Sequence, residues 1–233
     1  MARIPAAERR QELIDAAVLV IAESGVDGAT TRRIADRAGA PLATLHYCFA
    51  SKELLFGAVF EHIAGRYREV LIASDVHGDV ATTTRGLMRG LLQWYVDNPE
   101  TASAIVELIS WARRQDGAKA TGVYDEALDT VRSILVADAA AAGQSIDDET
   151  LERLAYVVTV IADGFAINWL MYRQAGLDPE IDLTLGLLDA WMAANLSGGG
   201  SVDPVGVQPA RPRPGAAESP EKLADLVSWV DVG

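Results

Sequence analysis

Apolar residues recur along this chain at spacings of three and four, the period of a helix that buries one face. Leu13, Ile14, Ala17, Val20 and Ile21 open the series and predict a helix from about Pro5 to Ser24, ended by Gly25, with Val26 to Ala29 as a loop. Thr30 and Thr31 offer capping oxygens to a second helix whose narrow stripe is Ile34, Ala35 and Ala38. Gly39 then stands where a left-handed residue ends many helices, and Pro41 suits the first position of a new one. A short third helix, about Leu42 to Tyr47, turns Leu45 inward. Ser51 caps a long helix through Leu54, Leu55, Ala58, Val59, Ile63, Tyr67 and Val70.

After a turn at Asp75 to Asp79, the same period predicts helices over Val80 to Asp97, Pro99 to about Arg114 and about Lys119 to Ala142. A further helix runs from Asp147 or Asp148 to about Gln174, and Gly176 stops it. The last carries Pro179 in its first turn and Leu183, Leu187, Leu188, Trp191, Met192 and Leu196 along it. No segment alternates as a strand does, so the fold class is all-α: a three-helix head over 1–53 and a helical body over 54–196. The last two helices are apolar on more than one face, and such helices are buried on two sides. The simplest second partner is the same pair in another copy, a four-helix bundle across a two-fold axis. Val158, Ala162, Ala166, Leu170, Leu187, Leu188, Trp191 and Met192 are the expected interface of that homodimer. From Ser197 the chain becomes rich in Gly and Pro, a linker over 197–219, and 220–233 reads as a short helix that either docks through Leu226 and Trp229 or is disordered.

Charge changes the picture once it is divided along the chain. The net charge is −13, yet residues 1–53 hold 7 Lys/Arg and 7 Asp/Glu, so the excess of acid lies wholly in the body. A neutral head predicts weak, salt-sensitive non-specific binding to nucleic acid. No apolar run reaches the roughly 18 residues of a membrane span, the N-terminus lacks the apolar segment of a signal peptide, and the single cysteine, Cys48, forms no intrachain disulfide. Together these predict a cytoplasmic protein with no membrane association. No phosphate-binding loop or nucleophile elbow appears, Cys48 and His46 point to different faces of one helix, and His62 and His77 lack metal-ligand spacing. The chain is expected to be neither an enzyme nor a metal or cofactor protein.

Two short helices joined by a Gly-led turn form a helix-turn-helix, whose second helix lays its polar and aromatic face in a DNA major groove. The stretch GAPLATLHYCFASKELL, with Arg10, Ala16, Ala17, Gly25, Thr31 and Ile34-Ala35 before it, resembles the tetracycline-repressor family, and the resemblance covers the first quarter of the chain. Pro41 stands where that family usually has Ser or Thr, His46 replaces its usual Tyr, and Cys48 replaces Tyr or His. DGFAINWL followed by AGLDPE resembles, less specifically, the C-terminal domain of its betaine-regulator-like branch. The resemblance implies a ligand-responsive transcriptional repressor that binds a palindromic double-stranded operator as a homodimer and is released by a small effector.

The expected DNA-binding residues are Thr31, Arg32, Arg33, Pro41, Leu42, Thr44, His46, Tyr47 and Lys52, the last matching the family's phosphate contact. Aromatic residues with polar tips gathered from several helices suit a concave site for an apolar or aromatic effector. That set is Met88, Trp94, Tyr95, Trp111, Tyr124, Phe165, Trp169 and Tyr172, with Glu107, Asn168 and Asp163 as orienting polar groups. The neutral head and its departures from the family also allow a helical, dimeric small-molecule sensor with weak or lost DNA binding.

Overall fold

The computed structural model describes the backbone of residues 5–115, 117–172 and 178–196, with side chains except at 115, 117–123 and 178. Nine helices carry the described residues, and no strand occurs among them. They are α1 (Ala6–Gly28), α2 (Thr31–Arg37), α3 (Leu42–Cys48), α4 (Lys52–Ala73), α5 (Val80–Asp97), α6 (Pro99–Gln115), α7 (Gly117–Ala141), α8 (Asp148–Tyr172) and α9 (Asp178–Asn195). The expected linker over 197–219 and helix over 220–233 lie outside the described residues, as does the stop at Gly176.

The head closes around Leu13, Ala17, Ile21, Ile34 and Leu45, all buried. Local chemistry sets its joints. Thr30 caps α2 by accepting from the Arg33 amide at 3.3 Å. Gly39 takes φ +61°, and the Ala40 amide folds back onto the Ala35 carbonyl at 2.9 Å, closing the end of α2. Pro41 lies one position earlier than the sequence predicts: it is the N-cap of α3, with its carbonyl accepting from Thr44 at 2.8 Å. Ser51 caps α4 through the Leu54 amide.

The first helix differs from expectation. Gly25 does not end it but kinks it, at φ 67° and ψ 172°, and one more turn follows to Gly28. Val26 and Ala29 are buried there rather than looped out, and the Ala29 amide bonds to the Gly25 carbonyl at 3.1 Å. A loop expected from local signals thus becomes a packed turn because its two apolar side chains reach the core. α6 is the main partner of α1 in the body.

In the body, α5 packs against α4, α7, α8 and α9. Leu87, Met88, Leu91 and Leu92 give it a fully buried face. Its polar face is tied to α9 by Arg85 to Asp189 and by Arg89 to Asp182 at 2.9 Å. α7 begins at Gly117, two residues before the expected start. Asp147 caps α8, its carboxylate accepting from the Thr150 amide at 2.8 Å. α8 is long and apolar enough, by length and a mean hydropathy of 1.6, to cross a membrane, which the sequence reading did not anticipate. Its inner face is instead spent within the fold: Leu151, Leu154, Val158, Ala162 and Phe165 are buried.

Within the protomer most of the expected interface residues face inward. Val158, Ala162, Ala166, Leu188 and Met192 are buried inside their own protomer, and Leu170 and Trp191 are half-buried. Only Leu187 of that set stands well out. The apolar residues left open are Tyr156, Val160, Ile167, Met171 and Tyr172 on α8, with Leu183 and Leu187 on α9. The apolar stripe on each helix was read from its strongest period, and that period belongs to the intramolecular core. The weaker stripe is the one that faces out.

Candidate functional site

On α3 the burial of Leu45 fixes which residues point away from the protein. Pro41, Ala43, His46 and Tyr47 are exposed, Tyr47 by 85% of its surface. Thr31, Leu42 and Thr44 are partly covered, and Leu42 packs against the core. Ala43 belongs to the outward face at helical spacing from His46 and Tyr47, a position the expected polar and aromatic set does not include because its side chain is apolar and small.

The cations of the head are arranged around the end of α1. Arg33 donates to the Gly28 carbonyl at 3.1 Å and the Lys52 ammonium to the Val26 carbonyl at 3.0 Å. Lys52 also lies 5.0 Å from the centre of the Phe56 ring, and Arg10 sits 4.8 Å over Phe49. Arg37 pairs with Glu23 at 2.6 Å, and that hydrogen bond holds the Glu23 carboxyl below its usual value. Arg32 is exposed. Arg33 and Lys52 therefore brace the kinked end of α1 against α2 and α4 while keeping further N–H donors for another partner.

A cavity of about 70 Å³ opens between α4, α6, α7 and α8. Phe60, Ile63, Ala64, Tyr67 and Arg68 form its α4 wall, and Ile105 and Ile109 its α6 wall. Glu126, Ala127 and Thr130 come from α7, Thr159 and Asp163 from α8, with Tyr95 and Tyr124 completing it. The Tyr124 hydroxyl donates to the Asp163 carboxylate at 2.8 Å. Burial pushes the Asp163 carboxyl above its ordinary value, and the bond from Tyr124 partly offsets this. Burial first, then the Asp163 charge, raises the phenols of Tyr67 and Tyr124. Tyr95 is raised by burial, then by Tyr67 and Asp163. Arg68 and Glu126 are ion-paired with each other at the wall.

Of the eleven expected effector residues, Tyr95, Tyr124 and Asp163 line this cavity. The others do not. Met88 is wholly buried in the core. Trp94 is packed behind the cavity with its ring 6.2 Å from that of Tyr67. Trp111 meets Phe56 edge-on at 5.5 Å, and Glu107 lies at the kink of α1, within 3.1 Å of where a side chain on Gly25 would begin. Phe165, Asn168, Trp169 and Tyr172 surround a separate open hollow of about 350 Å³ with Glu180, Leu183 and Thr184. Aromatic residues recurring at helical spacing do not reveal which face of the helix they occupy, and this correction follows from that. The signal the sequence did contain is Asp163, the sole charged residue between Arg153 and Arg173 on the most apolar stretch of the chain.

One grouping was absent from the sequence reading. Asp75, His77 and Asp138 bring ligand atoms within 4.8 Å of one another, because α7 carries Asp138 to the α4–α5 turn. Thr83 donates to the Asp138 carboxylate there.

Comparison with known proteins agrees with this architecture. Residues 13–59 match the model of the bacterial regulatory proteins, tetR family. The nicotine-responsive transcriptional repressor HdnoR of Paenarthrobacter nicotinovorans is 33% identical over 194 residues, covering 82% of this chain and 97% of that protein. The transcriptional regulator BetI of Rhizobium meliloti is 28% identical over 201 residues, covering 82% and 92%. Among solved structures, a transcriptional regulator from Pseudomonas aeruginosa superposes with a TM-score of 0.68 at 17% identity, over 84% of this chain and 94% of that one. The regulator FadR of Bacillus subtilis, solved with stearoyl-CoA, gives 0.63 at 19% identity over 76% and 96%. The helix-turn-helix head, the all-helical body and the match along nearly the whole of a curated repressor show that this chain belongs to the TetR family of transcriptional regulators.

Proposed function

We propose that the protein is a cytoplasmic repressor that binds a palindromic operator as a homodimer and lets go when a small effector enters the cavity between α4, α6, α7 and α8. The observation that carries this reading is the span of α4. Its first turn holds Lys52, bonded to the end of α1 beside the head, and its middle supplies five residues of the cavity wall, Phe60 to Arg68. A ligand that displaces α4 or α6 therefore moves the base of the head, and effector and DNA oppose each other through their different affinities for two arrangements. The nicotine-responsive relative and the acyl-CoA-bound structural neighbour support a body that senses small molecules.

In this reading α3 enters the major groove with Ala43, Thr44, His46 and Tyr47 toward base edges and backbone, and Arg32, Arg33 and Lys52 reach phosphates. The outer faces of α8 and α9 join two copies and set the heads about 34 Å apart, one turn of DNA. Selection of duplexes from a random pool by the full-length protein tests it. An inverted repeat with half-sites one turn apart is the expected product, and recovery of single half-sites, or of nothing at all, overturns it. The second reading, a sensor with weak DNA affinity, draws on the engagement of Arg33, Arg37 and Lys52 within the head. Anisotropy titration of the selected duplex at several salt concentrations separates the two, because a phosphate-binding head loses affinity steeply as salt rises.

A further inference from the structure

Asp163 poses a problem that the rest of the cavity does not solve. It is the sole charged residue in the long apolar run of α8, it is partly buried, and its carboxylate has one hydrogen-bond partner among the described residues, Tyr124. No described cation pairs with it. Arg68, the basic residue of the lining, is paired with Glu126. A carboxylate taken out of water without a countercharge is unfavourable, and such groups in folded proteins are ordinarily paired or bound to something.

The neighbouring groups show what that something is. The hydroxyl protons of Thr130 and Thr159 are committed to the carbonyls of Glu126 and Ala155, at 2.8 and 3.1 Å, and the proton of Tyr124 to Asp163 itself. The lining therefore presents oxygen acceptors and aromatic walls more than donors. Its ionised groups sum to one negative charge, Asp163 and Glu126 against Arg68. An anion is repelled by this site. A neutral carbonyl compound accepts from Tyr67 or Tyr95 but leaves Asp163 uncompensated. A cation with an apolar body satisfies the carboxylate, and the aromatic rings favour it as well. The volume of about 70 Å³ is roughly five times what one water requires, enough for a compact charged head, with the remainder of the ligand directed along the apolar walls.

We infer that the effector is an organic cation, a protonated or quaternary amine, whose charged head is held by the Asp163 carboxylate among the rings of Tyr67, Tyr95 and Tyr124. This deepens the proposed function and rests on its reading of the cavity as the effector site. It narrows the expectation of an apolar or aromatic effector by adding one obligatory positive charge.

The test uses the full-length protein and isothermal titration with three probes: benzyltrimethylammonium, its uncharged carbon isostere neopentylbenzene, and phenylacetate. The wild-type protein is expected to bind the ammonium at least tenfold more tightly than the isostere and to reject phenylacetate. In Asp163→Asn, which keeps an acceptor for Tyr124, the two bulky probes are expected to bind within about threefold of each other, with circular dichroism confirming the fold. The inference is overturned if the isostere binds the wild-type protein as tightly as the ammonium, or if Asp163→Asn keeps the tenfold preference. Ala127→Trp, which fills the cavity from α7, separates this failure from that of the wider reading. If the isostere binds as tightly as the ammonium, or phenylacetate binds, and Ala127→Trp abolishes that binding, the cavity is the effector site but not for cations. If no probe binds, or binding survives Ala127→Trp, the effector-site reading fails together with the cation inference.

Discussion

The head and the outer pair α8 and α9 are both built from amphipathic helices, yet they dispose of their apolar surface in different ways. In the head each helix has one apolar side, and all of them meet in a single centre where Leu13, Ile21, Ile34 and Leu45 are buried; what is left outside is mostly polar, with Leu19 and Tyr47 its large exposed apolar or aromatic residues. In α8 and α9 the inner side is equally well buried, but a second stripe remains open, with Met171 at 75% exposure and Leu183 at 69%. A region with one apolar side is complete as a single chain. A region with two leaves a face that, in the proposed dimer, a second copy covers.

The largest effects should come from the seam between these regions. Gly25 sits at φ 67° and ψ 172°, a conformation essentially confined to glycine, and a β-carbon there would lie 3.1 Å from the Glu107 carboxylate of α6. Gly25→Ala is therefore expected to cost about 2 kcal/mol or more and to loosen the head from the body. Leu45→Ala, which empties the centre of the head, should cost about 3 kcal/mol. Chemical denaturation of both variants checks these values, and a head that unfolds before the body in Gly25→Ala would sharpen the comparison further.

Next in size is the open face. Leu187→Asp changes an exposed residue and should leave the fold of the protomer intact while weakening the proposed dimer roughly thirtyfold, the scale of an interface residue contributing about 2 kcal/mol. Val158→Asp, on the same pair but fully buried, should instead unfold the body. Sedimentation equilibrium and thermal melts on the two variants break the comparison if they behave alike. Tyr47→Ala comes after these: it is expected to weaken operator binding by roughly tenfold with no change in melting temperature, because the side chain is exposed and packs on nothing that the fold requires.

The same contrast explains what was legible in the sequence. The caps at Thr30 and Ser51, the left-handed Gly39 and the inward Leu45 are set by residues within a few positions of one another, and each could be read locally. The kink at Gly25 looks like an end in the sequence because its continuation depends on Val26 and Ala29 reaching a core made by other helices. Most of the expected interface and effector residues lie on other faces than expected for a related reason. Periodicity shows that α8 has two apolar stripes but not which of them meets α5, and Trp94 or Trp111 looks the same in a core as in a pocket. Asp163 was the exception. A lone acid on an apolar helix is informative wherever it points, since burying it requires a partner.

The smallest expected effect is a pH dependence that belongs to the body and not to the head. Burial raises the Asp163 carboxyl above the ordinary 3.8, so over that window the folded protein holds a proton that the unfolded chain has released. The contribution to stability is fully present below 3.8 and is lost as pH rises through the raised value. Above that value the ionised, uncompensated carboxylate opposes folding. Asp163→Asn removes the titration, so its stability relative to the wild type should increase as pH rises through the window, and urea denaturation at several pH values would reveal it. The Glu23 carboxyl in the head moves the other way. Its bond to Arg37 lowers it, and the stability it contributes is present above the ordinary 4.5 and lost as pH falls through the lowered value, only weakly because the pair is exposed. The two acids should therefore give slopes of opposite sign, and a saturating organic cation should abolish the Asp163 slope alone, since a bound positive charge restores the carboxylate that burial disfavours.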